Sequence, residues 1–164
     1  MAEAFNELTL PAEKAERYAT VAEEIASVLD GEPNLTARMA TVASMLAASF
    51  DTFFWTGFYV FYFLNERELV VGPYQGTLGC LRIAFGRGVC GTAAASGQTQ
   101  LVPDVHAFPG HIACDGLSAS EVVVPVFDGA GQLIAVFDVD STKLAAFDEV
   151  DAQWLEKILK ATFS

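Results

Sequence analysis

Two strongly apolar segments near the carboxyl end of the chain, EVVVPVFD at 121–128 and QLIAVFDVDS at 132–141, are separated by only the three residues GAG. Valine, isoleucine and phenylalanine favour strands, and a connection this short joins neighbouring strands that run in opposite directions. The sequence therefore predicts an antiparallel hairpin in this part of the chain.

A second hairpin is predicted earlier in the chain. The aromatic and β-branched run TFFWTGFYVFYFL at 52–64 is followed by the polar break NERE at 65–68 and by LVVGPYQG at 69–76. Shorter strands are expected at 80–85 and 100–102, with a short helix that ends at a glycine between them. Hairpins without repeated strand-helix-strand crossovers predict an antiparallel sheet.

Helices are predicted before and after this sheet. Apolar residues recur at steps of three and four from 12 to 29, and Asn34 can cap a second helix after the DGEPN break. Asp148 can cap a last helix. We therefore predict one domain over residues 1–164, of the α+β class, with a central antiparallel sheet and helices packed on both faces. Its regions are N-terminal helices at about 12–49, the sheet and site loops at about 52–141, and a C-terminal helix at about 148–163.

The charge of the chain narrows its possible partners. Nine Lys and Arg against 21 Asp and Glu give a net charge of −12, which repels nucleic acid and anionic membranes alike. The longest near-apolar run has 13 residues, fewer than the roughly 18 needed to cross a bilayer. No basic segment precedes an apolar one at the N-terminus. We expect a cytoplasmic protein without nucleic acid or membrane partners.

The segment GRGVCG at 86–91 fits the dinucleotide-binding pattern G-x-G-x-x-G. That pattern belongs to a parallel strand-helix-strand unit, whereas here it lies among predicted hairpins. We therefore interpret these glycines as residues that permit tight backbone turns.

Three cysteines and two histidines leave several kinds of chemistry open. They could form a zinc site, although the chain has no C-x-x-C pair and only His111 and Cys114 are close in sequence. They could instead perform thiol redox chemistry, in which one cysteine attacks and a second forms a disulfide with it. The cysteines could also be buried core residues. The residues concerned are Cys80, Cys90, His106, His111 and Cys114.

Acidic residues suggest a site at the end of the second hairpin. Asp138 and Asp140 lie two positions apart on a predicted strand, so their side chains face the same side of the sheet. If Glu121 on the neighbouring strand approaches them, repulsion keeps one carboxyl group protonated near neutral pH, which would supply a general acid. The alternative is a solvated strand end with its carboxylates in water.

Several motifs in order carry a family resemblance. WTGFY, GPYQG, CLRI, GRGVCGTA, DVHAFPGHIACDGLSASEVVVP and FDVDS, from Trp55 to Ser141, closely resemble the free methionine (R)-sulfoxide reductases, a catalytic branch of the GAF domain family. The resemblance implies a GAF fold, a homodimer and reduction of free methionine (R)-sulfoxide to methionine. It also implies that no cofactor or metal is bound and that electrons come from NADPH through thioredoxin.

The resemblance also implies roles for the cysteines. Cys114 matches the cysteine that attacks the sulfoxide, with Cys90 as the second candidate for this step. Cys80 and Cys90 match the two residues that form disulfides with the attacking cysteine.

The remaining site residues follow from the same resemblance. Glu121, Asp138 and Asp140 match the acidic residues of the family's site, with Glu121 and Asp140 as candidate proton donors and Asp138 as partner of the substrate ammonium. Trp55 matches an aromatic wall over the substrate methyl group. Three acids near Cys114 should raise its pKa and lower the thiolate fraction, which runs against its role as a nucleophile.

The chain departs from the family pattern in a few places. Val122, Val139 and Phe137 replace the usual residues, and the FLNERE loop at 63–68 is longer, although none of these positions touches the expected chemistry. The alternative function is a non-catalytic GAF sensor that binds a small molecule.

Overall fold

An antiparallel sheet forms the centre of the molecule. The computed structural model describes residues 5–62 and 67–164. Among these residues the strands are β1 (Trp55–Phe61), β2 (Glu68–Gln75), β3 (Arg82–Ala84), β4 (Gln100–Val102), β5 (Ser120–Phe127) and β6 (Leu133–Ser141). They form a six-stranded sheet in the order β3-β2-β1-β6-β5-β4, in which every neighbouring pair is antiparallel.

Helices form where the sequence predicted them. They are α1 (Lys14–Val28), α2 (Leu35–Ser49), α3 (Gly88–Ser96) and α4 (Glu149–Phe163). The side chain of Asn34 accepts a hydrogen bond from the amide of Ala37 at the start of α2. Asp148 begins α4 with a capping box, in which its side chain and that of Asp151 each accept a backbone hydrogen bond. Both predicted caps are confirmed.

Alternation along the strands divides the core into two layers. Phe58 and Val60 of β1 pack in the layer that contains α1, α2 and α4. Trp55 and Tyr59 of the same strand pack in the other layer, with Val89 and its neighbours in α3. Helices therefore cover both faces of the sheet, and the predicted α+β class is confirmed.

The glycines of GRGVCG serve the turn into α3. Gly86 and Gly88 have φ values of +79° and +62°, a left-handed region that side chains disfavour. α3 then leads from β3 to β4, which lie at opposite edges of the antiparallel sheet. The glycines thus shape a tight turn, as predicted, and α3 does not join neighbouring parallel strands.

Two predicted segments differ from the structure or lie outside its described part. The strand expected at 80–85 is shorter, because only Arg82–Ala84 pairs with β2 and Cys80 lies in the loop before it. The turn of the first hairpin and most of the FLNERE loop fall on residues 63–66, which are outside the described residues. Among residues 5–62 and 67–164, no helix is long and apolar enough to cross a membrane.

Candidate active site

A pocket opens on the face of the sheet that carries α3. It is lined by residues of β1, β5 and β6, by the first residues of α3, and by residues of the loop between His111 and Ser118. It contains six of the seven predicted site residues, namely Trp55, Cys90, Cys114, Glu121, Asp138 and Asp140. The seventh, Cys80, is joined to the pocket through a disulfide with Cys114.

Strand register brings the three acids together. Glu121 of β5 lies directly opposite Asp140 of β6, and Asp138 follows two residues away on the same face. Glu121 and Asp138 are only 5% and 4% exposed, while Asp140 is half-buried. The alternative of carboxylates in water is therefore wrong for Glu121 and Asp138, and the predicted approach of Glu121 is confirmed.

Burial controls the protonation of these acids. It raises the pKa of Glu121 well above the ordinary value, and the negative charges of Asp138 and Asp140 raise it further. The pKa of Asp140 is raised for the same reasons, with Asp138 and Asp115 as the neighbouring charges. Burial raises the pKa of Asp138 to about 6. Hydrogen bonds from Glu121 and Cys90 limit this rise, because they stabilise the ionised carboxylate. Burial therefore favours the protonated forms of Glu121 and Asp140, whereas Asp138, with a pKa of about 6, is ionised at neutral pH.

One carboxylate oxygen in the pocket has no hydrogen-bond partner among the described residues. Within residues 5–62 and 67–164, Oδ1 of Asp138 is buried and has no hydrogen-bond partner. A buried acceptor without a partner costs about 1–3 kcal/mol, more when it is charged. Such an atom is well suited to a ligand that brings its own donor, and an ammonium group matches its charge.

The three cysteines fall into two environments. Cys80 and Cys114 form a disulfide with their Cα atoms 5.3 Å apart, and Cys114 lies at the exposed edge of the pocket. Cys90 is free and buried, with its thiol 3.9 Å from Oε1 of Glu121. Burial and the charges of the three acids raise the pKa of Cys90 well above its ordinary value. The thiol in contact with the carboxylates is therefore Cys90.

The structure argues against a zinc site built from the cysteines and histidines that the sequence suggested. The sulfurs of Cys80 and Cys114 are bonded to each other, and His106 lies exposed in the short 3₁₀ helix Val105–Ala107. Among the described residues, a different set of potential metal ligands lies together: atoms of Cys90, Glu121 and Asp138 within 4.8 Å of one another. A metal there would have to displace the protons of Cys90 and Glu121, since ligands bind deprotonated.

Aromatic rings form a wall beside the acids, because Trp55 of β1 pairs with Asp140 of the neighbouring strand β6. Trp55 is buried, stacks on Tyr59 and Tyr74 with ring centroids 5.5 and 4.9 Å away, and donates a hydrogen bond from Nε1 to the carbonyl oxygen of Thr77 at 2.9 Å. A Cβ atom at Gly79 would lie 2.9 Å from the indole ring, so this loop can rest directly on Trp55 only because residue 79 is glycine. The ring contacts and the indole hydrogen bond hold Trp55 in place in this wall.

His111 closes the pocket near Glu121. Its Nε2 atom lies 3.9 Å from Oε2 of Glu121, and only 13% of its side chain is exposed. Burial lowers the pKa of His111, and the charge of His106 lowers it further, so the imidazole is neutral near neutral pH. The sequence suggested only a metal-binding role for His111, whereas the structure places it beside the carboxyl group of Glu121.

Some pocket residues were not predicted from the sequence. Tyr59 follows Trp55 by four residues on β1 and so shares its face, a period-two signal that could have identified it. Gly79, Arg87 and Ile112 also line the pocket. They lie on loops or at a helix end, where no periodic pattern indicates the direction of a side chain.

Comparison with known proteins first defines the class of the chain. The family model for the GAF domain matches residues 31–161, which is most of the sequence. This match agrees with the antiparallel sheet, with the helices on its two faces and with the pocket on one of them. The chain is thus a GAF domain protein.

Individual relatives narrow this class. The free methionine-R-sulfoxide reductase of Saccharomyces cerevisiae is 42% identical over 135 residues, which cover 80% of this chain and 75% of that protein. The reductase of the same name from Escherichia coli is 41% identical over 146 residues, covering 89% and 86%. The X-ray structure of free methionine-R-sulfoxide reductase from Neisseria meningitidis in complex with its substrate has a TM-score of 0.88 and 47% identity, covering 94% and 92%. The chain belongs to the free methionine-R-sulfoxide reductase family within the GAF domains.

Proposed function

We propose that this protein reduces free L-methionine (R)-sulfoxide to L-methionine by thiol chemistry. The observation that carries the proposal is the acid trio with its buried, unpartnered Asp138 oxygen, in the same pocket as Cys114. Two acids with raised pKa values and one charged acid match the needs of a zwitterionic sulfoxide, whose oxygen accepts a proton and whose ammonium group requires an anion. The reductases to which the chain is similar support the same substrate class.

The first step is attack on the sulfoxide sulfur. In the dithiol form of the protein, the sulfur of Cys114 attacks while Glu121 or Asp140 protonates or hydrogen-bonds the sulfoxide oxygen. A bond forms between Sγ of Cys114 and the substrate sulfur, and the protonated oxygen then moves to Sγ as the substrate sulfur–oxygen bond and the new sulfur–sulfur bond break. Methionine leaves, and Cys114 becomes a sulfenic acid. A positioned general acid of this kind contributes typically about 10² to 10⁴ in rate.

The environments of the cysteines support Cys114 as the attacking residue. Cys114 lies exposed at the edge of the pocket, whereas Cys90 is buried against Glu121 with a raised pKa. A thiolate is the nucleophile, and Cys90 is therefore a poor one near neutral pH. The acids raise the pKa of Cys90, which contacts Glu121, and their expected effect on the Cys114 thiol stays a prediction.

The second step forms the disulfide and the third reduces it. The Cys80 thiol attacks the sulfenic acid of Cys114, water leaves, and the pair becomes the disulfide seen here. We expect thioredoxin to return the pair to thiols with electrons from NADPH, and no cofactor or metal to be bound. We also expect a homodimer, as the family resemblance implies, and a cytoplasmic location.

Recognition of a free amino acid follows from the position of Asp138. In the proposed complex the substrate ammonium meets the unpartnered Oδ1 atom, and the substrate carboxylate accepts backbone hydrogen bonds from residues 110–113. A methionine sulfoxide inside a peptide has an amide in place of the ammonium. It would leave the charge of Asp138 buried and unpaired, which costs several kcal/mol.

The test is a turnover assay with three substrates side by side: free (R)-sulfoxide, free (S)-sulfoxide and peptide-bound sulfoxide. Oxidation of NADPH in the presence of thioredoxin and its reductase reports the rate. We expect turnover of the free (R) form only, and a fall of roughly a thousandfold or more for Cys114→Ser. Gly116→Ser, which adds a hydroxyl to the same loop in open space, is the control.

Two outcomes contradict the proposal. Undiminished turnover by Cys114→Ser would remove Cys114 from the attacking role. Binding of the free sulfoxide without turnover by the reduced wild-type protein would instead favour a non-catalytic GAF sensor.

A further inference from the structure

Two loops meet above the pocket, the β2–β3 loop and the β4–β5 loop. The disulfide between Cys80 and Cys114 joins them covalently. A second link lies beside it, because the hydroxyl of Thr77 donates a hydrogen bond of 2.6 Å to Oδ2 of Asp115. Thr77 precedes Cys80 by three residues and Asp115 directly follows Cys114. Both links therefore tie the same two loops together at nearly the same place.

Thr77 is fixed from below by the aromatic wall. Its carbonyl oxygen accepts the indole hydrogen bond of Trp55 at 2.9 Å, and Trp55 is itself buried on β1. Gly79 lets the same loop lie in contact with the indole ring. The hydroxyl of Thr77 consequently projects from a backbone that is anchored to the sheet.

Asp115 is held in the matching position by its own loop. Its Oδ1 atom accepts a hydrogen bond from the amide of Leu117 at 2.8 Å, which leaves Oδ2 for Thr77. These hydrogen bonds, that from Thr77 first, lower the pKa of Asp115, so the group is charged near neutral pH. A charged acceptor makes a stronger hydrogen bond than a neutral one.

We propose that Thr77 and Asp115 are positioning residues, whose hydrogen bond holds Cys114 near Cys80 while the disulfide is open. This inference deepens the proposed function and rests on the role given there to the Cys80–Cys114 pair. The hydrogen bond does not require the disulfide, so it can persist in the dithiol and sulfenic acid forms. Each link lowers the entropy cost of closing the other, and the coupling is reciprocal.

The same coupling acts in a reaction that needs no sulfoxide. When glutathione disulfide oxidises the protein, two electrons pass from the Cys80 and Cys114 thiols, one protein disulfide forms, and one glutathione disulfide becomes two glutathione molecules. The equilibrium constant of this exchange measures how closely the folded protein holds the two sulfurs. It is independent of substrate binding and of catalysis.

The experiment compares Thr77→Val with Thr77→Ser in a glutathione redox titration. Valine keeps the branched shape and removes the donor, whereas serine keeps the hydroxyl. We expect Thr77→Val to lower the equilibrium constant roughly three- to tenfold, and a tenfold change corresponds to about 30 mV for a two-electron couple. Thr77→Ser should stay close to the wild type. Alkylation and peptide mapping measure the fraction of Cys80 bonded to Cys114.

Thr77 is the better side of the pair to replace. The charge of Asp115 also raises the pKa of Asp140, so a change at Asp115 alters the acid trio as well. In the Asp115→Ala background, adding Thr77→Val should have no further effect, because the shared bond is already lost. Asp104→Ala is the matched control, since Asp104 accepts a hydrogen bond from the amide of His106 within one of the two loops.

Three results would overturn the inference: a Thr77→Val equilibrium constant within twofold of the wild type, additive effects of Thr77→Val and Asp115→Ala, or an equal shift in Asp104→Ala. None of them bears on the proposed function, which the turnover assay tests separately. Absence of sulfoxide turnover together with the expected redox shift would remove the proposed function and leave the link between the loops in place.

Discussion

Asp138 lowers the stability of the fold at the pH where the site is expected to work. Its pKa rises from 3.8 to about 6 because the carboxyl group is buried. Between these values the folded protein still binds the proton that the unfolded chain has released. The free energy of unfolding therefore falls as the pH rises from about 4 to about 6, and it stays lower above that range.

Replacement of Asp138 by asparagine should remove this loss. The raised pKa corresponds to a penalty of roughly 2–3 kcal/mol at pH 7, since each pKa unit is worth about 1.4 kcal/mol. The difference in unfolding free energy between Asp138→Asn and wild type should be smallest below about pH 4 and should grow to a plateau above about pH 6. Urea unfolding of the oxidised proteins at several pH values measures it. Asp51→Asn, at an exposed position, is the control, and a difference that does not vary with pH would contradict the prediction.

The acid trio could be predicted from residue patterns, whereas the links between loops could not. Asp138 and Asp140 share a face because a strand repeats every two residues, and the three-residue turn brings Glu121 beside them. Thr77 and Asp115 are 38 positions apart on loops without any period. Nothing in their local sequence indicates that they meet. The pairing of Cys80 with Cys114 was likewise only one of the alternatives that the family resemblance left open.

The ends of strands could be predicted less well than the strands themselves. The hairpins and the three long helices could be predicted because each has a clear apolar period and a recognisable turn or cap. The short helix α3 could be predicted only from the glycines at its ends. The predicted length of β3 was too great, because the apolar residues of CLRIAF do not indicate where pairing with β2 ends. Only three residues pair with β2, while Leu81 is 69% exposed and Cys80 forms the disulfide.

The contact between α3 and β3 depends on a glycine. A Cβ atom at Gly91 would lie 2.4 Å from the carbonyl oxygen of Ala84, which is backbone and cannot rotate away. Gly91→Ala should therefore push α3 from the strand and displace Cys90 from Glu121. Overpacking of this kind costs roughly 1–3 kcal/mol, although the better helix propensity of alanine offsets about 1 kcal/mol.

Chemical unfolding of Gly91→Ala, beside Gly116→Ala, measures this cost. A Cβ atom at Gly116 meets nothing within 4 Å, so this variant should remain within about 0.5 kcal/mol of the wild type. Equal stability of the two variants would show that moving α3 costs no more than the helix propensity of alanine restores.

The two faces of the sheet differ: one carries only a core layer, and the other also carries the candidate site. Phe58 and Phe137 pack against α1, α2 and α4 on one face, where the layer is apolar. The opposite face carries a second apolar layer around α3 and also the acids and cysteines of the candidate site. Because neighbouring residues of β6 point to opposite faces, Phe137 can fill the first layer while Asp138 enters the pocket.

The Cys80–Cys114 bond should make the stability of this whole assembly depend on redox state. It spans a sequence separation of 34 residues that includes β3, α3 and β4. Closing a loop of this length removes entropy from the unfolded chain worth up to about 4 kcal/mol. For a protein of this size we expect reduction to lower the Tm by roughly 10 °C.

Thermal unfolding with and without a phosphine reductant measures the change in Tm. Two variants show which cysteines are responsible for it. Cys80→Ser should unfold near the Tm of the reduced wild type and should not respond to the reductant, because it cannot form the bond. Cys90→Ala should retain the full response whatever its own Tm, since Cys90 is free in the oxidised protein. A reductant-dependent shift in Cys80→Ser, or its loss in Cys90→Ala, would mean that a pair other than Cys80 and Cys114 links the loops in solution.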